Sequence, residues 1–174
     1  MSRKFFRKTI AVFLLTLMTA ALALCLCGCG KGSSGADCRD VLDACRKIAP
    51  EGSFDTLVCY GEELYDESFD SLYGIQFKDI SDGAILYSEE GGRADEISIV
   101  CMKENEDVSV AKQKFQERIE ARRSTFSGYK PEEVYKIDNA SVIVQGNYAA
   151  MIISDDNEGF EAEIRRVISE GNVQ

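Results

Sequence analysis

Any chemistry in this chain has to run on carboxylates, Lys, Tyr or Cys, because none of its 174 residues is His. That excludes Ser-His-Asp and Cys-His catalysis, histidine-ligated zinc and imidazole pH sensing, each of which needs a group titrating near neutrality or a neutral nitrogen ligand. Four of the seven cysteines, Cys38, Cys45, Cys59 and Cys101, lie among apolar neighbours in the body of the chain. Cys38 and Cys45 are seven apart on one expected helix, about 10 Å along its axis, too far for a bridge. The alternatives are buried thiols or a pairing of Cys38 or Cys45 with Cys59 or Cys101; without a C-x-x-C motif, redox or zinc chemistry has no anchor.

Basic residues concentrate at Lys112, Lys114, Arg118, Arg122 and Arg123, interrupted by Glu117 and Glu120. Such an island in an acidic chain is either a solvated helix face or a seat for an anion or partner, with Arg118, Arg122 and Arg123 as the candidates. Arg118 comes first because it borders an apolar stripe. Acids cluster at Asp66-Glu67, Asp70, Glu89-Glu90, Glu132-Glu133 and Asp155-Asp156 with Glu158. None has EF-hand spacing: Asp155-Asp156-Asn157-Glu158-Gly159 carries its Gly one place early and lacks the Glu at the twelfth position, where Arg166 or Val167 falls. No metal ligand and no catalytic residue is assigned. Paired carboxylates for hydrolysis depend on a separation in space that sequence does not give. Tyr60, Tyr65, Phe69 and Tyr73 could line a groove or fill a core.

The N-terminus has the layout of an export signal. Arg3, Lys4, Arg7 and Lys8 precede an uncharged, mostly apolar run from Thr9 to Leu26. The run ends in Leu26-Cys27-Gly28-Cys29, which resembles a lipobox: an aliphatic residue at −3 and a small one at −1 before the Cys that receives lipid. Cys25 and Cys27 each follow a Leu, so Gly28 makes Cys29 the expected cleavage and lipidation point. Residues 1–28 are then a lipoprotein signal peptide, 29–36 the lipidated Cys with a Gly- and Ser-rich tether, and 37–174 one domain. An uncleaved single-span anchor is the other reading, since about 18 apolar residues just cross a bilayer. No cofactor is expected beyond covalent diacylglycerol on Cys29, with palmitate as a plausible acyl chain.

Removing 28 residues takes away four positive charges and leaves 16 Lys+Arg against 30 Asp+Glu, a net charge of −14. An anionic leaflet repels such a body, so lipid would hold it down while charge holds it off the surface. The pI of the full chain, about 4.6 at a net charge of −10, argues against nucleic acid as a partner, because phosphate neutralisation needs a basic surface.

Behind these residues stands an expected α+β framework. Asp37 to Ala49 places Cys38, Val41, Leu42, Cys45, Ile48 and Ala49 at helical spacing, stopped by Pro50. Thr56 to Tyr60 suits a strand, and Glu63 to Tyr73 a helix or turn with Leu64, Tyr65, Phe69, Leu72 and Tyr73 inward; the order of residues 51–83 is left open. Ala84–Ser88 and Ile97–Met102 flank a turn-rich link and read as an antiparallel pair. Asp107 is the expected N-cap of a long helix reaching about Phe126, with Val108, Ala111, Phe115, Ile119 and Phe126 inward. Val142–Gln145 and Tyr148–Ser154, joined by Gly146-Asn147, form a second hairpin whose apolar faces place it centrally. Glu158 to Ile168 closes the chain as a helix with Phe160, Ile164, Val167 and Ile168 inward. The order α-(β/α)-β-β-α-β-β-α describes an antiparallel sheet of two hairpins with packed helices.

One resemblance attaches to particular residues. Ala94-Asp95-Glu96-Ile97, the long helix with Arg118, Tyr129-Lys130-Pro131-Glu132-Glu133-Val134, Asn139-Ala140, Gly146-Asn147-Tyr148 and Ile153-Ser154-Asp155 together resemble a family of uncharacterised bacterial lipoproteins, mostly Gram-positive, with a domain of unknown function. The likeness spans about residues 84–160. It implies a lipoprotein and transfers no activity. The expectation is therefore a lipid-anchored domain on the extracytoplasmic face of the cell membrane, a non-enzymatic binding or accessory module for an envelope protein or ligand. The alternative is a small carboxylate- or Tyr-dependent hydrolase of envelope material.

Overall fold

The structure is a computed structural model that describes residues 35–89, 92–103 and 107–172, the side chains of residues 67 and 68 excepted. The signal segment, the tether up to residue 34, and with them Gly28 and Cys29, lie outside the described residues.

Five strands make one antiparallel sheet: β1 (Thr56–Cys59), β2 (Ile80–Tyr87), β3 (Glu96–Met102), β4 (Ser141–Gln145) and β5 (Tyr148–Ile153), in the spatial order β1-β2-β3-β5-β4. The sheet is buried on both faces, and the two-residue alternation of its side chains sorts them between two cores. Ala84, Leu86, Ile97, Ile99, Ala150 and Ile152 meet α1 (Cys38–Ile48) and α5 (Asn157–Gly171). Ile85, Val100, Ala149, Met151 and Ile153 meet α2 (Glu63–Tyr73), α3 (Val108–Tyr129) and the short α4 (Val134–Asp138). The expected class holds, with β1 as a fifth strand. The segment 51–83 is ordered in the described structure as β1, α2 and the lead-in to β2.

Several local expectations need correction. Leu64 and Leu72 are 63% and 40% exposed. The reason is ring packing: Tyr65, Phe69 and Tyr73, at i, i+4 and i+8, occupy the inward face, with centroids 4.8 and 5.0 Å apart, and leave the leucines on the flank. Ile48 is also exposed, because the chain leaves α1 at Ala49, which packs toward the core in its place. Asp107 makes no side-chain cap bond; its backbone is already helical at φ −80°, ψ −12°, instead of the extended conformation that turns a cap side chain back. Asp37 does cap α1, its Oδ1 accepting from Arg39 N at 2.8 Å.

The Gly146-Asn147 hairpin forms, with Gly146 at φ +58°. Only β5 is central, however: β4 pairs with β5 alone and is an edge strand, its residues mostly half-buried. After Tyr129 comes a single 3₁₀ turn (Pro131–Glu133) and then α4, which buries Lys136 and Ile137.

Candidate functional site

Strand alternation builds the site. Ile97 and Ile99 point to one core, so Glu96 and Ser98 must point to the other, beneath α2 and α3. Both are fully covered, and a buried carboxylate needs charge and hydrogen-bond partners. Arg118 and Arg122, one turn apart on α3, supply the charge. Arg118 grips Glu96 side-on, Nε to Oε1 at 3.2 Å and Nη2 to Oε2 at 2.9 Å; Arg122 Nη1 lies 3.0 Å from Oε2, and its Nη2 donates to the Ala94 carbonyl at 3.0 Å. From α2, Tyr73 Oη donates to Glu96 Oε1 at 2.7 Å and accepts from Ser98 Oγ at 2.5 Å. The guanidinium of Arg118 rests over the Tyr73 ring, and that of Arg122 over Phe126.

Burial by itself would push the Glu96 carboxyl up. The charges of Arg118 and Arg122, with hydrogen bonds from Arg118 and Tyr73, outweigh it and hold the group below the usual carboxylate range. Burial, then the neighbouring Glu96 charge, pushes the Tyr73 phenol well above its ordinary value. Neither group exchanges protons near neutral pH.

This cluster floors a groove of about 260 Å³. Arg118, Arg122 and Glu96 form its polar wall; Val58, Ile85 and Tyr87 of the sheet form an apolar one, and Leu64 and Leu72 make the rim. The leucines displaced from the core by the α2 rings are thus groove residues. Arg118 and Arg122, expected in a basic island, meet here. Arg123 does not join them: it pairs with Glu120 at 3.3 Å and Asp138 at 2.7 Å. Lys114 pairs with Glu117 at 2.8 Å.

Beside the groove lies a second buried charge cluster. Asp95, only 2% exposed, faces Lys136 Nζ at 2.9 Å, and the same ammonium reaches Glu133 at 3.2 Å and Asp155 at 3.3 Å. Burial works against the Lys136 charge, but its bonds with Asp95 and Glu133 outweigh it and raise the group. Glu133 also accepts from Ala94 N at 3.0 Å. Consecutive acids are therefore divided, Asp95 to α4 and Glu96 to α3, which pins the start of β3 against both helices. Asp155 further accepts from Tyr135, and Asp156 caps α5 through Gly159 N at 3.0 Å. Asp155 and Asp156 are thus committed to protein partners. Among the described residues no group of three or more Cys, Asp or Glu is placed to hold a metal ion.

Cys38, Cys45 and Cys59 are buried thiols and Cys101 a half-buried one. Burial pushes the Cys45 thiol up to about 12 and that of Cys59 to about 11, which keeps both protonated and unreactive at neutral pH. Tyr65 and Phe69 belong to the core, and Tyr60 stacks on Phe77 at 4.6 Å; of the four aromatic candidates, Tyr73 reaches the groove.

Sequence reasoning missed Glu96 and Ser98 as site residues, while Tyr73 is among the groove-or-core candidates. The available signal is the pattern Glu96-Ile97-Ser98-Ile99: two polar residues on one face of a strand bounded by apolar segments demand buried partners.

Among the described residues no helix is long and apolar enough to cross a membrane; the apolar run Thr9 to Leu26 lies outside them. No curated protein and no solved structure matches the chain significantly. A family defined by a domain of unknown function, DUF4358, does match residues 61–154, a span that runs from the start of α2 to the end of β5 and includes the groove's two arginines and Glu96, and the chain belongs to that family.

Proposed function

We propose that this protein is an exported lipoprotein, anchored by diacylglycerol on Cys29, whose domain is a non-enzymatic binding module at the outer face of the cell membrane. The sequence supports the anchor through the basic start, apolar run and Leu26-Cys27-Gly28-Cys29 box. The groove supports the binding role, and one observation carries it. The titratable groups at its floor are locked in single protonation states, Glu96 charged under two guanidiniums and Tyr73 neutral. General acid–base catalysis wants a group poised near the working pH, whereas recognition wants fixed charges on a rigid frame.

The hydrolase alternative fares worse on the same residues. Two carboxylates flanking a scissile bond are needed for glycoside cleavage, and Glu96 is the one acid among the ten residues that line the groove.

A photo-crosslinking residue in place of Leu72, in the full-length protein in its native membrane, should capture a reproducible neighbour. The same residue in place of Ile48, on the helix packed against the opposite face of the sheet, should not. Identical capture from the two positions would overturn the groove as the binding site.

A further inference from the structure

The wall of the groove carries two cations against one anion, a local positive excess on a domain of net charge −14 after Cys29 processing. Arg118 and Arg122 keep 16% of their side-chain surface exposed, so the excess charge is reachable from solvent. Facing the two arginines are the exposed Leu64 and Leu72, backed by Val58 and Ile85. A volume of about 260 Å³ admits a head group and a few carbons, but no folded partner.

Resting on the reading of this groove as a binding site, we infer that its ligand is a small anionic amphiphile: a carboxylate or phosphate seated on Arg118 and Arg122, with a short apolar chain across Leu64 and Leu72. The anion neutralises the excess charge and accepts from the exposed parts of the two guanidiniums. An ammonium head would instead meet two guanidiniums. A neutral head would leave the excess charge uncompensated in a partly desolvated wall. The chain removes two rim leucines from water.

The test uses the full-length lipidated protein in phosphatidylcholine vesicles and equilibrium dialysis of four probes: hexanoate, hexyl phosphate, hexanol and hexylamine. At least one anion should bind about tenfold or more tightly than hexanol, and hexylamine more weakly still. Variants at Arg118 or Arg122 would strip a buried carboxylate of its partner and endanger the fold, so the charge is varied at the exposed rim. Leu64→Glu should weaken the anion about tenfold, while Leu64→Lys should hold or improve it. Loss of bound hexyl phosphate when phosphatidylglycerol is added to the bilayer would identify a lipid head group as the source of the anion; retention would identify a free solute. Hexanol binding as tightly as the anions would overturn the inference while leaving a binding groove. Failure of all four probes, with capture from Leu72 intact, would overturn it in favour of a larger partner. Failure of both experiments would remove the binding reading itself.

Discussion

Lys136→Met should lower the unfolding free energy by about 3–5 kcal/mol, measured from denaturant midpoints at unchanged slope. Methionine keeps much of the volume and removes the ammonium that faces Asp95 at 2.9 Å. Asp95 then stays buried with only Arg93 near it, Nε at 3.4 Å. The cost is that of a buried carboxylate left with one long, partly exposed partner in place of a close buried one, well above the 0–1 kcal/mol of an exposed pair. The double variant Asp95→Asn/Lys136→Met should recover most of the loss, because removing both charges also removes the desolvation penalty. A single-variant effect below about 1 kcal/mol would show that this cluster does not hold β3 to α4.

Much of the framework behind these clusters is legible in the sequence because it depends on periodicity. The stripes Cys38-Val41-Leu42-Cys45 and Phe160-Ile164-Ile168 announce helices, and Gly146-Asn147 between apolar runs announces a hairpin. Burial assignments fail where two apolar residues compete for one place. Leu64 and Leu72 have the right spacing, but three rings fill the inward face of α2 first, and volume is not written in a hydropathy pattern. Strand order fails for a related reason: β4 and β5 are both apolar, and which of them meets β3 is a long-range choice.

The site was half legible. Arg118 and Arg122 stand out within a basic island of an acidic chain, Arg118 first because it borders the apolar stripe. Their partner Glu96 sits 22 residues before Arg118 at the start of a strand, where an acid reads as part of a turn. Only the pairing of α3 against that end of β3 reveals that the arginines are committed inward. Arg123, adjacent in sequence, faces about 100° further round the helix and belongs to a different set of contacts.

The second large effect is acid lability centred on Glu96. Its folded-state carboxyl lies below the ordinary glutamate range, so its contribution is fully present above the unfolded value of about 4.3 and is lost as pH falls through the folded value. Other acids titrate in the same window, so the informative quantity is the stability of the wild type minus that of Glu96→Gln. That difference should be largest near about pH 7 and shrink as pH drops below about 4. The variant keeps the shape of the side chain and loses the anion shared by Arg118 and Arg122, which places the two guanidiniums against each other without a counter-charge. A difference that stays constant across the acid range would mean that Glu96 is not held charged by those arginines, and the groove would lose its fixed electrostatic floor.

What the groove can meet depends on where the domain stands, and the proposed function puts that on Cys29. Metabolic labelling with radioactive palmitate, read beside the electrophoretic mobility of the precursor, tests it in the cell. The wild type should appear as a processed, labelled, membrane-bound protein, and Cys29→Ala as an unlabelled precursor of lower mobility. Acylation and processing of Cys29→Ala at wild-type levels would contradict Cys29 as the lipidated residue, and with it the assignment of Leu26-Cys27-Gly28-Cys29 as the lipobox.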